Sequence, residues 1–385
     1  MKKHLPFILS ILGVIAIAVV ALVLSKPSAV RAVDWYNASW QYRVKITVQN
    51  TEVDADLTNF PVYVDLSDLP AGFHSHVNQT DARDIRVTKT DGTTELPREV
   101  VFYTAASDTG ELHFKADSVA DASDTDFYIY YGNAGASDYA ISDTYGANNV
   151  WTNGYEAVYH LHESSGGTDA IKDSTANANH STDANTPTFG ATAPVGKGIT
   201  FNGSNEDLTL KNYPGYSTEM HYSFWAKPTS ASTQYNIIAT KSQLLRLNHA
   251  STNRTYLWAN TSGAADYINY TWDTNWHYVS AGYKNTVGWL FLIDTTTKTV
   301  SSAGSYLNTT NSNKTIAQYG WGSYFGGTLD EIRISNTMRN LTWSSTEYNN
   351  QNAPNTFYAA GAEEGAPSEE EAVIPPPAII FFEEL

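Results

Sequence analysis

Short runs in which apolar and polar residues alternate recur along this 385-residue chain, and they restrict its fold more than any other feature. In residues 42–49 the apolar positions Tyr42, Val44, Ile46 and Val48 alternate with Arg, Lys, Thr and Gln. A period of two is typical of a half-buried β-strand. No sustained helical period occurs between residues 34 and 133, and turn signals such as Asp91-Gly92 follow the runs. Further runs of this kind lie at residues 60–66, 100–103, 112–115, 127–131, 222–226, 276–281, 289–293 and 329–334. The sequence therefore predicts an all-β protein.

Composition excludes several classes of protein. Aromatic residues make up 13% of the chain and charged residues only 16%, which is unlike a disordered chain. The formal net charge is -17 and no basic stripe is present, so binding to nucleic acid is not expected. The chain has no cysteine, which excludes disulfides, thiolate metal sites, thiol catalysis and a thioether-linked lipid anchor.

The first residues predict the compartment. Lys2 and Lys3 precede residues 5–24, an uncharged and mostly apolar run of about 20 residues, long enough to span a bilayer as a hydrophobic helix. Small residues up to Ala32 suit cleavage by a signal peptidase. Residues 1–32 are thus a signal peptide or a retained membrane anchor. In either case the remainder lies outside the cytoplasm, secreted or at the cell surface, and contacts the membrane only through this segment.

Residues 34–133 predict a β-sandwich module. This stretch resembles the family of prokaryotic surface modules known as domain of unknown function 2341, which implies an extracellular β module with no established chemistry. We expect Asp65, Asp84 and Arg86, which lie in the matching motifs, to make strand-end and turn contacts. The motifs that carry the resemblance are Trp35-Tyr36, Trp40-Gln41-Tyr42-Arg43, Leu57-Thr58-Asn59-Phe60-Pro61-Val62, Asp84-Ile85-Arg86-Val87 and Tyr128-Ile129-Tyr130-Tyr131-Gly132-Asn133.

Residues 151–362 predict a second module, separated from the first by a Gly-, Ala-, Ser- and Asn-rich linker at 134–150. Many short, evenly spaced strands favour a two-sheet jelly roll. The region resembles the laminin-G-like, concanavalin-A-like jelly-roll superfamily, so the expected fold is two β-sandwiches in tandem. The motifs that carry the resemblance are Tyr159-His160-Leu161-His162-Glu163-Ser164-Ser165-Gly166, Asp173-Ser174-Thr175-Ala176-Asn177-Ala178-Asn179-His180, Gly198-Ile199-Thr200-Phe201-Asn202-Gly203-Ser204, Trp276-His277-Tyr278-Val279 and Leu329-Asp330-Glu331-Ile332-Arg333-Ile334-Ser335-Asn336.

The second module lacks the signatures of catalysis. Glycoside hydrolysis needs two carboxylates flanking the bond, and no strand of the module carries paired acids at a spacing of two or four. Neither a Gly-x-Ser-x-Gly elbow nor a His-Glu-x-x-His zinc motif occurs. His160 and His162 share one predicted strand face, which suits either metal ligands or, as we prefer, a hydrogen-bonded strand pair. We therefore predict that the protein is not an enzyme.

A structural calcium ion is the first site hypothesis, because Ca²⁺ takes six to eight oxygen ligands. The resemblance implies Asp330 as the leading ligand, with Glu163 or Asp173 and the Asn202-Gly203 turn nearby. In the alternative, Asp330 caps a strand or pairs with Arg333 or Lys172, and Asp173 holds its own Asx turn.

Carbohydrate binding is the second site hypothesis, since sugar faces stack on exposed aromatic rings. The candidate rings lie in Gly-, Asn-, Ser- and Thr-rich stretches, and in the alternative they pack inside the sandwich. The candidates are Trp258, Tyr270, Trp272, Trp321 and Tyr324.

Residues 363–385 predict an acidic, Pro-containing tail, disordered at 363–371. Together these features predict a secreted or cell-surface, adhesin-like binding protein whose jelly roll recognises carbohydrate. The alternatives are a structural surface protein that makes protein–protein contacts and a glycoside hydrolase.

Overall fold

The computed structural model describes residues 34–211, 218–231, 235–240, 244–247, 253–259, 264–307, 314–319 and 323–367. The predicted leader at residues 1–32 and Trp321 lie outside these ranges. Within them, no helix is both long and apolar enough to cross a membrane.

The first sandwich is formed by two antiparallel sheets. Its elements are strands β1 (Tyr42–Val48), β2 (Leu57–Asp65), β3 (Arg86–Lys89), β4 (Glu95–Leu96), β5 (Arg98–Thr104), β6 (Thr109–Val119), β7 (Thr125–Tyr131) and β25 (Tyr358–Gly365), with helix α1 (Ala71–His76). One sheet has the order β25-β1-β7-β3-β4 and the other the order β2-β6-β5. Val44, Ile46 and Val48 face the core, as the alternation in β1 predicts.

The C-terminal strand β25 belongs to this first sandwich, although the sequence assigned its residues to the second module and the tail. It pairs with β1 from Val48 opposite Tyr358 to Tyr42 opposite Gly365. The prediction of disorder is wrong for residues 363–365, because they continue this ladder and cover an edge of β1 that would otherwise be open. Arg43 Nε also donates to Glu364 at 2.8 Å.

Residues 134–150 pack against the first sandwich and are not a free spacer. Arg86 donates to the carbonyl of Ser137 at 2.8 Å, and Arg98 pairs with Asp138 at 2.7 Å. The next residue, Trp151, lies in the first hydrophobic core. The described residues from 35 onward accordingly form one compact unit that contains both sandwiches.

The second sandwich is a larger pair of antiparallel sheets of the expected jelly-roll type. Its strands are β8 (Tyr155–Tyr159), β9 (Ser181–Ala184), β10 (Thr188–Thr192), β11 (Lys197–Asn202), β12 (Asp207–Leu210), β13 (Glu219–Pro228), β14 (Tyr235–Thr240), β15 (Leu244–Leu247), β16 (Arg254–Trp258), β17 (Ala265–Asn269), β18 (His277–Lys284), β19 (Gly288–Ile293), β20 (Thr296–Ser301), β21 (Lys314–Ile316) and β24 (Gly326–Ser335), with the small hairpin β22 (Gln318–Tyr319) and β23 (Ser323–Tyr324). One sheet has the order β10-β11-β24-β13-β18-β19-β20, with β8 also paired to β24. The facing sheet has the order β17-β16-β15-β14-β21-β12-β9.

Two helices, α2 (Leu341–Asn352) and α3 (Pro354–Phe357), lead from the second sandwich back to the first. Gln351 of α2 accepts a hydrogen bond from Trp225 Nε1 on β13 at 2.7 Å. The side chain of the adjacent residue Asn350 bonds the backbone N–H and C=O of Tyr63 on β2 at 2.7 and 2.8 Å. Helix α2 therefore contacts both sandwiches, which places parts of β6 and β24 close to each other.

Candidate functional site

Three aromatic rings form a patch on the outer face of the second sandwich. On β16, Leu257 is fully buried in the core, whereas Tyr256 and Trp258 point the other way and are half-buried. The rings of Tyr256 and Trp258 stack with centroids 4.8 Å apart, and Tyr267 of β17 lies 5.1 Å from Tyr256. We call Tyr256, Trp258 and Tyr267 the aromatic platform.

Charged side chains flank the aromatic platform. The guanidinium of Arg254 lies 4.0 Å from the centroid of the Tyr267 ring, and the ammonium of Lys298 lies 4.5 Å from it. Lys298 also pairs with Asp266 at 2.6 Å. The platform therefore places half-buried aromatic rings beside hydrogen-bond donors and a carboxylate, the types of group that sugar recognition uses.

Two other candidate rings are placed differently. Trp272 is only 4% exposed and its Nε1 donates to Thr255 Oγ1 at 3.0 Å, so it packs in the core and its prediction as a surface ring is wrong. Tyr270 is half-buried and donates its hydroxyl to Asp294 at 2.5 Å. Burial and this bond both raise the pKa of Tyr270.

Tyr324, a further candidate ring, is half-buried in β23, away from β16 and β17 in the chain. The remaining candidate, Trp321, lies outside the described residues.

Asp330, the leading calcium candidate, is fully buried. One carboxyl oxygen accepts from the Val195 backbone N–H at 3.0 Å, and the other has no partner among the described residues. Burial, reinforced by the neighbouring charges of Glu331 and Glu111, raises the pKa of Asp330 well above its usual range. The predicted pairing of Asp330 with Arg333 is not observed, since Arg333 binds Glu331.

The other calcium candidates do not gather around Asp330. The carboxylate of Asp173 accepts from the backbone of Val158, Thr175 and Asn179, which confirms the alternative that it holds its own turn. Glu163 accepts from the backbone of Lys172 at 2.7 Å. The side chain of Asn202 accepts from the backbone of Ser204 and Asn205, closing the turn in which Gly203 adopts a φ of +73°. Among the described residues, Asp330, Glu163 and Asp173 form no group of converging ligand atoms.

A different set of buried ligand-type side chains meets where the sandwiches touch. Glu111 and His113 come from β6, His160 follows β8, and Glu331 lies on β24. One ligand atom from each of these four residues lies within 4.8 Å of all the others. Glu111 Oε1 is 2.9 Å from His113 Nε2 and 3.1 Å from His160 Nδ1, which also hydrogen-bonds Glu331. We call Glu111, His113, His160 and Glu331 the junction cluster.

A bulge in β24 brings Glu331 into the junction cluster. The register between β13 and β24 shifts between the pairs Ser223–Arg333 and Trp225–Asp330, and Glu331 has a φ of +49°. Bulges of this kind redirect a side chain out of the regular alternation. Backbone held in the left-handed region by a residue other than glycine persists only where its surroundings enforce it.

Opposite charges shift the pKa values of Glu331 and His160 in the junction cluster. Burial alone would raise the pKa of Glu331, but the charges of His160 and Arg333 outweigh it and hold that pKa well below its usual range. Burial alone would lower the pKa of His160, but Glu331 and Glu99 raise it well above its usual value. The lowered pKa of Glu331 and the raised pKa of His160 thus both result from their mutual pairing and from nearby charges.

Two cavities lie beside the junction cluster. A cleft of about 640 Å³ between the sandwiches is lined by residues that include Phe102, His162, Lys197 and Gly196. A side chain on Gly196, whose φ is +58°, would meet Glu111 Oε2 at 2.7 Å, so the cleft wall touches the cluster there. A second cavity of about 250 Å³ is lined partly by Glu99 and His160.

His160 and His162 do not form the predicted strand pair. β8 ends at Tyr159, and Leu161 between the two histidines has a φ of +58°, which breaks the strand alternation. His160 enters the junction cluster, whereas His162 stacks on Phe102 with ring centroids 3.8 Å apart. The alternative that these histidines are metal ligands is therefore relevant to His160 alone.

A comparison with family models matches residues 81–155 to the family described as Domain of unknown function (DUF2341). This confirms the family prediction for part of the first sandwich. The match continues beyond residue 133, where the sequence placed the module's end, and Trp151 and Tyr155 indeed lie in the first core. Comparison with curated proteins gives no significant match.

Several solved structures resemble about half of the chain. One is the binding domain of botulinum neurotoxin DC in complex with SialylT, at 10% identity over 52% of each chain and a TM-score of 0.40. Another is domain 4 of a GH43 extracellular arabinanase from Geobacillus stearothermophilus in complex with arabinotriose, at 19% identity over 50% of this chain and 97% of that domain, with a TM-score of 0.41. The chain spans about half the length of the neurotoxin binding domain. Likeness at these TM-scores does not establish a shared ligand or activity.

Proposed function

We propose that the protein is a secreted or cell-surface, non-enzymatic binding protein that recognises carbohydrate through the aromatic platform of its second sandwich. The observation that supports this function is the outward-facing stack of Tyr256, Trp258 and Tyr267 beside Arg254 and Lys298.

The platform is suited to a sugar because its rings are held in place before binding. Tyr256 and Trp258 restrain each other by stacking, and Arg254 donates to the Tyr256 hydroxyl at 3.2 Å. Preorganised rings lose little conformational freedom on binding, while neighbouring charged groups can hydrogen-bond sugar hydroxyls. Membership of the second sandwich in the laminin-G-like, concanavalin-A-like superfamily is part of the same proposal.

The buried state of the junction cluster favours a binding protein over a glycoside hydrolase. Hydrolysis requires two carboxyl groups that flank an accessible bond. The carboxylates of Glu111 and Glu331 are at most 1% exposed and are engaged by His160. Fractionation of cells that express the full chain, with detection in medium, envelope and cytoplasm, tests the proposed location.

The carbohydrate proposal is tested by replacing platform rings. Trp258→Ala and Tyr267→Ala should each lower the affinity for the sugar that the wild-type protein selects from a panel of neutral and acidic polysaccharides. Because a stacked ring contributes on the order of 1 kcal/mol, we expect a loss of about fivefold. Pull-down on the insoluble polysaccharides followed by calorimetry on soluble fragments measures it.

Tyr306→Ala is the matched control, since Tyr306 is an exposed ring outside the platform, packed against Trp289. It should retain the wild-type affinity. Undiminished binding by both platform variants, with unchanged melting temperatures, would contradict the platform as the site. Failure of the folded wild-type protein to bind any sugar in the panel would leave protein–protein contact as the function.

A further inference from the structure

The junction cluster has the donor atoms and the spacing of a four-coordinate metal site. Two imidazole nitrogens and two carboxylate oxygens converge, and Glu111 Oε1 lies 2.9 Å from His113 and 3.1 Å from His160. Four atoms placed tetrahedrally at 2.0–2.1 Å from Zn²⁺ are about 3.3 Å from one another. Small side-chain rotations are therefore enough to bring all four to bonding distance.

We propose that the junction cluster binds one divalent transition-metal ion, with Zn²⁺ as the best fit, and that this ion joins the two sandwiches. Imidazole nitrogens suit zinc, copper, iron and nickel, whereas Ca²⁺ needs six to eight oxygen ligands. With four protein ligands the site is closed, which is typical of structural rather than catalytic zinc. The proposal is independent of the carbohydrate function.

Hydrogen bonds from residues around the cluster already orient the ligands. Glu99 lies 3.4 Å from His160 Nε2, the ring nitrogen that does not face the cluster. Ser174 and Trp151 in turn donate to Glu99 at 2.6 and 2.5 Å. Metal-bound histidines commonly donate their second N–H to a carboxylate that is itself hydrogen-bonded, and this arrangement fixes the tautomer.

An unpartnered buried oxygen is an independent sign that something more binds here. Glu111 Oε2 has no hydrogen-bond partner among the described residues, and the Glu111 side chain is only 1% exposed. A buried polar atom without a partner is destabilising. A metal ion bound to Glu111 can take up the lone pairs of both carboxylate oxygens.

The charges of the surrounding network also favour a cation. The carboxylates of Glu99, Glu111, Glu331 and Glu347 belong to one network of contacts, in which Arg333 is the permanent cation within the described part of the chain. Buried carboxylates require nearby positive charge. A divalent ion supplies it without adding a side chain, and the cavity beside Glu99 and His160 gives it a path from solvent.

Metal binding is tested on the full chain after removal of metal with EDTA and buffer exchange. We expect one equivalent of Zn²⁺ per chain by elemental analysis after re-addition, and a higher melting temperature, because an ion that binds only the folded state stabilises it. Co²⁺ in place of Zn²⁺ should give the visible absorption of a tetrahedral site. This measurement uses the wild-type protein and so does not depend on a variant that folds.

Substitutions assign the ion to the cluster. Glu111→Gln should abolish stoichiometric Zn²⁺ uptake. Glu99→Gln, which changes the partner of His160 Nε2, should weaken affinity by about 10–100-fold. His277→Gln is the matched control, because His277 also lies between two carboxylates, Asp273 at 3.0 Å and Asp294 at 2.8 Å, but outside the cluster. It should bind Zn²⁺ like the wild type.

Three results would overturn the proposal. They are a folded wild-type protein that takes up no Zn²⁺ or Co²⁺, uptake that Glu111→Gln leaves unchanged, and a melting temperature that rises with Ca²⁺ but not with Zn²⁺.

Discussion

His160 and His221 are both buried, yet their surroundings shift the pKa of the ring in opposite directions. Carboxylates surround His160 and favour its charged form. Burial, together with the positive charge of Arg339, lowers the pKa of His221 to about 3. Its Nε2 lies 2.8 Å from Ser280 Oγ, while its Nδ1 has no partner among the described residues. His221 is therefore a neutral core residue at physiological pH.

The neutral state of His221 predicts a loss of stability in acid. Between pH 6.5 and about 3 the unfolded chain binds a proton at this position that the folded chain does not. The free energy of unfolding should therefore fall as pH decreases, by about 1.4 kcal/mol per pH unit from this residue. Urea unfolding of wild type and His221→Gln across this range isolates the contribution, because other titrating groups are common to both. Parallel curves for the two proteins would contradict the lowered pKa.

For single residues, the sequence showed which side chains have aromatic rings or ligand atoms, but it did not predict which of them are exposed. Trp258 and Trp272 lie in similar stretches rich in polar and small residues, yet one belongs to the platform and the other to the core. Trp258 faces outward because of its position in the alternation of β16, whereas Trp272 follows β17 and packs inward, where its ring bonds Thr255. Both placements are set by packing across the sheets. The position of Glu331 in the junction cluster was not predicted for a related reason. It depends on a bulge in β24, which cannot be recognised from a pattern of alternating residues.

Among the elements, α2 was not predicted from the sequence, and its contacts explain why. A surface helix is usually recognised by an apolar stripe. The buried face of α2 is instead largely polar and includes Ser344, Glu347, Asn350 and Gln351. These side chains satisfy polar groups of both sandwiches rather than filling a core. Strand β1 was predictable because its buried residues Val44, Ile46 and Val48 alternate with the half-buried Lys45 and Thr47.

The contact between α2 and β2 predicts a large effect for a single amide. β2 is an edge strand, and Asn350 bonds both the N–H and the C=O of Tyr63. Asn350→Ala leaves two buried backbone groups without partners, at a cost of about 1–3 kcal/mol each in the free energy of unfolding. Asn352→Ala, an exposed position at the end of the same helix, should cost less than about 0.5 kcal/mol. Denaturant unfolding of both variants measures this, and equal effects would show that the edge contact is unimportant.

Across the whole molecule, the sequence predicted two sandwiches in the right order but not how they join. The junction cluster combines residues of β6, of the segment after β8 and of β24, which are far apart in the chain. No local sequence pattern can show that residues so far apart in the chain come together. The family match to residue 155 and the packing of Trp151 agree that the first sandwich needs residues beyond its predicted boundary.

Strand β25 should be essential to the first sandwich. A chain that ends at residue 357 lacks Tyr358, which is 2% exposed in the first core, and uncovers the edge of β1. We expect its melting temperature to fall by about 10 °C or more, with aggregation through the open edge. Calorimetry and size-exclusion chromatography measure both effects. A chain that ends at residue 367 keeps β25 and is the control, and equal stability of the two would contradict the role of this strand.

The pairing of β25 with β1 also sets an order of events during biosynthesis. At translation rates of about 5–20 residues per second, β25 leaves the ribosome roughly 15–60 s after β1. All the described strands of the larger sandwich have been synthesised once β24 ends at Ser335. This sandwich can therefore fold before β25, the last strand of the N-terminal sheet, is available. We therefore expect the C-terminal sandwich to fold before the N-terminal one. For most of synthesis, the N-terminal region lacks a strand that its fold requires.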